Sequence, residues 1–226
     1  MQTLLCALVL CAACGGPLQT DASNESGEWT RDGASAAVVS NFEPEDPLPG
    51  AGDLRGSFNF TVKSGHHHSN HDFITKPHLG HNVNRSLSFT ATFASNASYT
   101  TQNPGNQSDW NKLMGLSTDR IHKNSIRIGW AWNPSLQRVD VAFYGYLDGR
   151  RVSQKLTDVA LGQSVSCSLQ MTNNGLTATA DGHSYNLAGS LGVSLPLTWV
   201  LHSVYFGGDE TAPHDIQVSV QNIQAQ

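Results

Sequence analysis

The sequence predicts an all-β domain, a two-sheet antiparallel jelly-roll sandwich over residues 56–226 with at most one short helical turn. Three observations carry that reading. Apolar residues recur with period two rather than 3.6 from Gly56 onward. Turn dipeptides such as Asp148-Gly149 and Asp181-Gly182 punctuate the runs, and the runs are short and nearly evenly spaced.

Taken in order, strands are expected at 57–63 and 87–93, then one helical turn around 109–114 with Ser108 as its cap. Ile126, Ile128, Trp130 and Trp132 share one side of the next strand, with Arg127 and Gly129 on the other. Val139, Val141, Phe143 and Leu147 alternate with Asp140, Tyr144 and Tyr146 before the Asp148-Gly149 turn. A strand follows at 152–156. Val165, Cys167, Leu169 and Met171 alternate with Ser166, Ser168 and Gln170, and Asn173-Asn174-Gly175 then turns the chain into 176–180. The last strands are 199–206 and the run in which Ile216, Val218 and Val220 point inward.

The N-terminal 55 residues differ in kind. They hold two basic and eight acidic residues, a balance of −6, against eleven basic and ten acidic in 56–226, a balance of +1, so the acidity of the chain belongs to this segment. The body has no basic surplus to follow a phosphate backbone, which argues against nucleic acid as a partner. Residues 4–13 form an apolar run of signal-peptide length, too short to cross a bilayer. The small residues before Cys14 resemble the bacterial lipobox, which implies export and a lipid anchor on Cys14. Residues 1–13 then read as signal peptide and 14–55, rich in Ser, Gly, Pro and acidic residues, as a flexible tether. Beyond Cys14 only Cys167 remains, so no internal disulfide is expected.

The run VALGQSVSCSLQMTNNGLTATADGHSY, followed by WVLHSVYFGGDETAPHDIQVSV, resembles the second half of concanavalin-A-like and laminin-G-like jelly rolls. The blocks DWNKLMGLSTDRIHKNSIRIGWAW and YFGGDETAPHDI also resemble parts of bacterial surface lipoproteins. The resemblance implies a fold and leaves the activity open.

Several chemistries are excluded. The chain lacks His-Glu-x-x-His, Gly-x-Ser-x-Gly and any phosphate-cradling Gly-rich loop. After Glu45 its single glutamate is Glu210, so a hydrolase built on a glutamate pair is ruled out. What remains is a strand face carrying Arg127, Tyr144 and Tyr146, with Gln217 and Gln221 as possible neighbours. Planar donors, amides and stacking rings are what sugar recognition requires. Asp209, Glu210 and Asp215 lie close together in one loop and are candidates for Ca2+. His68 with His71, or His78 with His81, has the spacing for a Zn2+ or Cu2+ chelate, with a solvated His-rich loop as the alternative.

Three functions follow. The first is a cell-surface module that binds a carbohydrate or matrix polymer without catalysis. The second is a polysaccharide lyase, because jelly-roll lyases act with Arg, His, Tyr and Gln on one sheet face. In that reading Arg127 neutralises a uronate, Tyr144 or Tyr146 works as acid and base, and His122 or His202 serves as base. His202 shares parity with Val200, Val204 and Phe206, which assigns it to the buried side and weighs against catalysis. The third is a structural adhesion lipoprotein whose partner is another surface protein.

Overall fold

The computed structural model describes residues 56–71, 77–80, 83–118, 121–194 and 197–226; for 77–80 and 197–199 only the backbone path is described. The signal-peptide and tether readings, Cys14 included, lie outside the described residues, as does His81.

Among the described residues, twelve strands form two antiparallel six-stranded sheets. They are β1 (Phe58–Val62), β2 (Pro77–Gly80), β3 (Arg85–Phe93), β4 (Asn111–Thr118), β5 (Ser125–Asn133) and β6 (Arg138–Leu147). Then follow β7 (Arg150–Val159), β8 (Ser164–Thr172), β9 (Gly175–Ala180), β10 (His183–Ala188), β11 (Leu197–His202) and β12 (Ile216–Ala225). One sheet runs β1-β12-β3-β8-β9-β10 and the other β2-β11-β4-β5-β6-β7. This is the jelly-roll sandwich that the alternation predicts.

The core lies between the sheets and is built from the inward residues of each alternating run. Leu87, Phe89, Ala91 and Phe93 of β3 and Ile126, Ile128, Trp130 and Trp132 of β5 are all buried in this one core. Phe93 and Trp130 bring their rings within 5.1 Å, and Phe143 of β6 packs on Tyr185 of β10 at 5.0 Å. Each such side chain contributes roughly 1.5–3 kcal/mol on burial. The Asp148-Gly149 and Asp181-Gly182 hairpins take left-handed φ at both residues, +50° and +81° in the first, +46° and +81° in the second. That is the twist a two-residue hairpin needs.

Two local expectations are corrected. Residues 109–114 form no helical turn. Asn111 begins β4, where its buried amide donates to the Tyr99 hydroxyl (2.9 Å) and its carbonyl oxygen accepts from Gly207 N (2.9 Å). Those long-range bonds override the local propensity of a short polar stretch. The helical content among the described residues is instead two three-residue 3₁₀ turns, Ser95–Ala97 and Pro104–Asn106. The expected strand at 199–206 stops at His202. The chain then runs irregularly to Tyr205, which makes isolated bridges to His68 and Lys112.

Candidate functional site

That irregularity decides the site. Leu201 of β11 pairs with Leu116 and points into the core, while Val204 and Phe206 also lie in the core. An inward Leu201 and an inward Val204 cannot both fit a strict period of two, so the alternation breaks at Ser203. His202 therefore faces outward, opposite Gly115, which in turn lies opposite Arg127. The expected burial of His202 in the core is overturned.

Cross-strand register places one row across the outer face of the second sheet: His202, Gly115, Arg127, Tyr144 and Ser153. A second row runs Val200, Ser117, Ser125, Tyr146 and Arg151, and a third Lys112, Gly129, Ala142 and Lys155. Glycine is required at position 115, because a Cβ there would overlap Arg127 Cγ and the Ile126 carbonyl oxygen. The Arg127 stem lies flat over that gap. Its Nε and Nη2 donate to Leu113 O (3.2 and 3.0 Å), and Nη2 also donates to Ser203 O. The Leu113 carbonyl is available because β4 bulges between Lys112 and Gly115.

Arg127 is thus buried, 7 % exposed, with carbonyls as its partners and no carboxylate bonded to it among the described residues. Burial lowers its pKa to about 10, still well above neutrality, partly offset by the phenols of Tyr144 and Tyr205. Burial, and then the Arg127 charge, push His202 down to about 3, so its imidazole is neutral at ordinary pH. His202 Nε2 lies 2.6 Å from Ser117 Oγ.

Residues that the sequence reading did not single out complete the face. Lys112 Nζ sits over the Tyr144 ring at 4.9 Å from its centroid and over the Tyr205 ring at 5.5 Å. Lys112 and Tyr205 also exchange both backbone hydrogen bonds (2.8 and 2.9 Å). His67 stacks on Tyr205 at 5.2 Å and 7°, and His68 meets it edge-on at 5.1 Å. The Trp110 Cβ would come within 3.5 Å of a Cβ at Gly129, so its side chain borders the same face. Only the pairing of Lys112 with Gly129, and the bridge to Tyr205, reveal this cluster; its members are spread over more than 130 positions of sequence.

Of the predicted site residues, Arg127, Tyr144 and Tyr146 do share one face, and His122 lies 5.2 Å from Tyr146, ring to ring. Arg127 and Tyr144 (6 % exposed) form its floor, whereas Tyr146 is half-buried and His122 is exposed. Gln217 does not join them. It lies in β12 of the other sheet, where it is bonded to Asn96.

The proposed calcium ligands have separate partners. Glu210 accepts from Gln102 N (2.7 Å), Asn103 N (2.8 Å) and Asn106 Nδ2 (2.9 Å), which hold its carboxyl below the ordinary value. Asp215 accepts from Lys63 Nζ (2.7 Å) and Ser64 N (3.0 Å). No group of three His, Cys, Asp or Glu residues gathers as a ligand set among the described residues, Asp209 included. His68 and His71 part likewise: His68 meets Tyr205, while His71 packs edge-on against Phe58 and Phe60. The side chain of His78 lies outside the description. A cavity of about 10 Å3 lined by Tyr99, Asp109, Asn111 and Glu210 is separate from the Arg127 row and has room for little more than a water molecule.

The fold is a concanavalin-like jelly roll. Solved structures that share this fold include alginate lyases. AlyC3 superposes with a TM-score of 0.50 at 10% identity, covering 75% of this chain and 74% of that one. An alginate lyase from Pseudomonas aeruginosa gives 0.48 at 11% identity over 64% of this chain and 65% of its own. One from Alteromonas sp. gives 0.48 at 8% identity over 76% and 87%. At these identities the likeness is one of fold. No protein family and no curated protein matches the chain by sequence.

Proposed function

We propose that the outer face of the β11-β4-β5-β6 sheet binds an acidic polysaccharide and cleaves it by β-elimination. The observation that carries this is the His202–Gly115–Arg127–Tyr144 row: a histidine, a buried cation bonded to no carboxylate among the described residues, and a phenol, aligned across four strands. A buried positive charge without a counter-ion favours an anion beside it. Elimination from a uronate removes the proton next to its carboxylate, breaks the neighbouring C–O bond and leaves a carbon–carbon double bond. The cationic face stabilises the enolate charge that develops on the carboxylate.

His202 is the group assigned to the proton. A carboxylate beside Arg127 screens the charge that depresses the imidazole, so substrate binding raises its basicity. Tyr144 and Tyr205, both within the field of Arg127, are placed to return a proton to the leaving oxygen. We also place the protein outside the cytoplasm, anchored through Cys14. Intact mass of detergent-extracted protein exceeding the peptide mass by acyl chains tests that location.

The test of the activity is ultraviolet absorbance of unsaturated uronates on incubation with acidic polysaccharides. Activity in the wild type, reduced about 10²–10⁴-fold by His202→Gln with the fold intact, supports the reading. Binding of the same polymers without any unsaturated product reduces the face to a non-catalytic binding module. Absence of both leaves a structural surface protein.

A further inference from the structure

We propose that Ser117 is a positioning residue of this site: by accepting from His202 Nε2–H it fixes the imidazole tautomer and leaves the Nδ1 lone pair as the base. The assignment rests on the β-elimination reading of this face. Ser117 Oγ lies 2.6 Å from His202 Nε2, and neither side chain makes another hydrogen bond among the described residues. Ser117 is 1 % exposed, so water does not compete for its hydroxyl. A hydroxyl can donate or accept, and the two choices give His202 opposite roles. With Ser117 donating, the Nε2 lone pair is spent, Nδ1 holds the ring proton and the imidazole offers the substrate only a donor. With Ser117 accepting, Nε2 holds the proton and Nδ1 is free to take one.

The charge beside the ring decides between them. Along β4, Ser117 lies on one side of the His202–Gly115–Arg127 row and Leu113 on the other. Ser203 follows His202 toward the Leu113 side, and the guanidinium is anchored there by Leu113 O and Ser203 O. The imidazole therefore stands between a hydroxyl and a cation. A neutral imidazole is a dipole, negative at its lone pair and positive at its N–H, and a cation repels the N–H end. The lower-energy arrangement turns N–H toward Ser117 and the lone pair toward Arg127. Burial first, and then the Arg127 charge, depress the basicity of His202, so the cation does act on this ring.

Under the functional reading the uronate carboxylate binds beside Arg127, and the proton to be removed sits on the adjoining carbon. A lone pair turned to that side faces it. As Nδ1 takes the proton the ring becomes a cation, and the bond from Nε2–H to Ser117 strengthens while that charge forms. Ser125, opposite on β5 and also buried, is the neighbouring hydroxyl in register for the Ser117 proton.

Long-range proton–nitrogen NMR correlation of the full chain, with its histidines labelled with nitrogen-15, reads the tautomer; His202 is assigned by its loss in His202→Gln. At neutral pH we expect Nε2 protonated and Nδ1 bare. Ser117→Ala should mix the two tautomers and lower kcat on a polysaccharide that the wild type cleaves by about 10–100-fold, with KM changed less than about threefold. Ser117→Thr, which keeps the oxygen, should retain most of kcat. A wild-type spectrum with Nδ1 protonated overturns the assignment, and so does wild-type kcat in Ser117→Ala; cleavage that continues in either case leaves the functional reading standing. A kcat loss in Ser117→Ala that comes with a large fall in melting temperature and an unmoved tautomer makes Ser117 merely structural and also overturns the assignment. A wild type that cleaves no acidic polysaccharide removes the functional reading, and this assignment with it.

Discussion

At the scale of single residues, Arg127 and His202 carry the most consequence because each is a polar group held where water is scarce. Arg127→Met leaves Leu113 O and Ser203 O without their donor and should cost about 2–4 kcal/mol, read as a lower urea midpoint at unchanged slope. A midpoint within error of the wild type would show that water replaces the guanidinium at no loss. His202 gives a pH signature. Its folded pKa of about 3 lies below its ordinary 6.5, so between those values the unfolded chain binds the extra proton. Stability is therefore full above about pH 6.5 and declines as pH falls toward 3, by a few kcal/mol at most. His71, also depressed by burial, adds to the same limb. His202→Gln should flatten the decline between pH 6.5 and 5, and superimposable profiles would count against burial of the imidazole.

At the scale of elements, β4 is the strand on which the site depends. Its bulge presents Leu113 O to Arg127, and Gly115 makes room for the arginine stem. Gly115→Ala forces a Cβ against both Arg127 and the Ile126 carbonyl. Part of that clash is with backbone, so a shifted side chain alone cannot relieve it. A loss of about 2–4 kcal/mol is expected, with faster hydrogen exchange concentrated in β4 and β5. The loop after β3 depends on one carboxylate. Glu210 accepts from two of its backbone N–H groups, so Glu210→Ala should speed exchange of the Gln102 and Asn103 amides. Because the Glu210 pKa is depressed, the same release should occur in the wild type as pH falls through the folded value.

At the scale of the whole molecule, the two sheets form one apolar layer without any disulfide among the described residues. Cys167, the free cysteine of the body, is buried in that layer, where desolvation pushes its thiol pKa well up. Deleting residues 1–55 should leave the melting temperature of 56–226 unchanged, and reducing agent should not alter it in either form. A drop of more than a few degrees on truncation would mean that the acidic segment packs on the domain. The outer faces divide the surface. The β8 and β3 rows present Ser164, Ser166, Ser168, Thr90 and Thr92, without charge, while the β4-β5-β6 face concentrates Lys112, Arg127 and the aromatic rings. Under the proposed function, that asymmetry would direct a polyanion to one side of the sandwich.

The sequence by itself determined the fold class, the inward residues of β5, β6, β8 and β12, the Asp-Gly hairpins and the placement of Arg127, Tyr144 and Tyr146 on one side. Those are consequences of local alternation, and alternation survives folding wherever a strand is regular. The tertiary structure alone decided three things. It turned 109–114 into a strand through the bonds of Asn111 to Tyr99 and Gly207. It separated Asp209, Glu210 and Asp215 by giving two of them distant partners, and set Gln217 in the opposite sheet. It also brought His202, Lys112 and Tyr205 to Arg127. Parity fails for His202 because the period breaks at Ser203, where no residue type announces an irregularity. Lys112 and Tyr205 were invisible because strand pairing between distant segments is set by the packing of whole sheets, and no spacing along the chain encodes it.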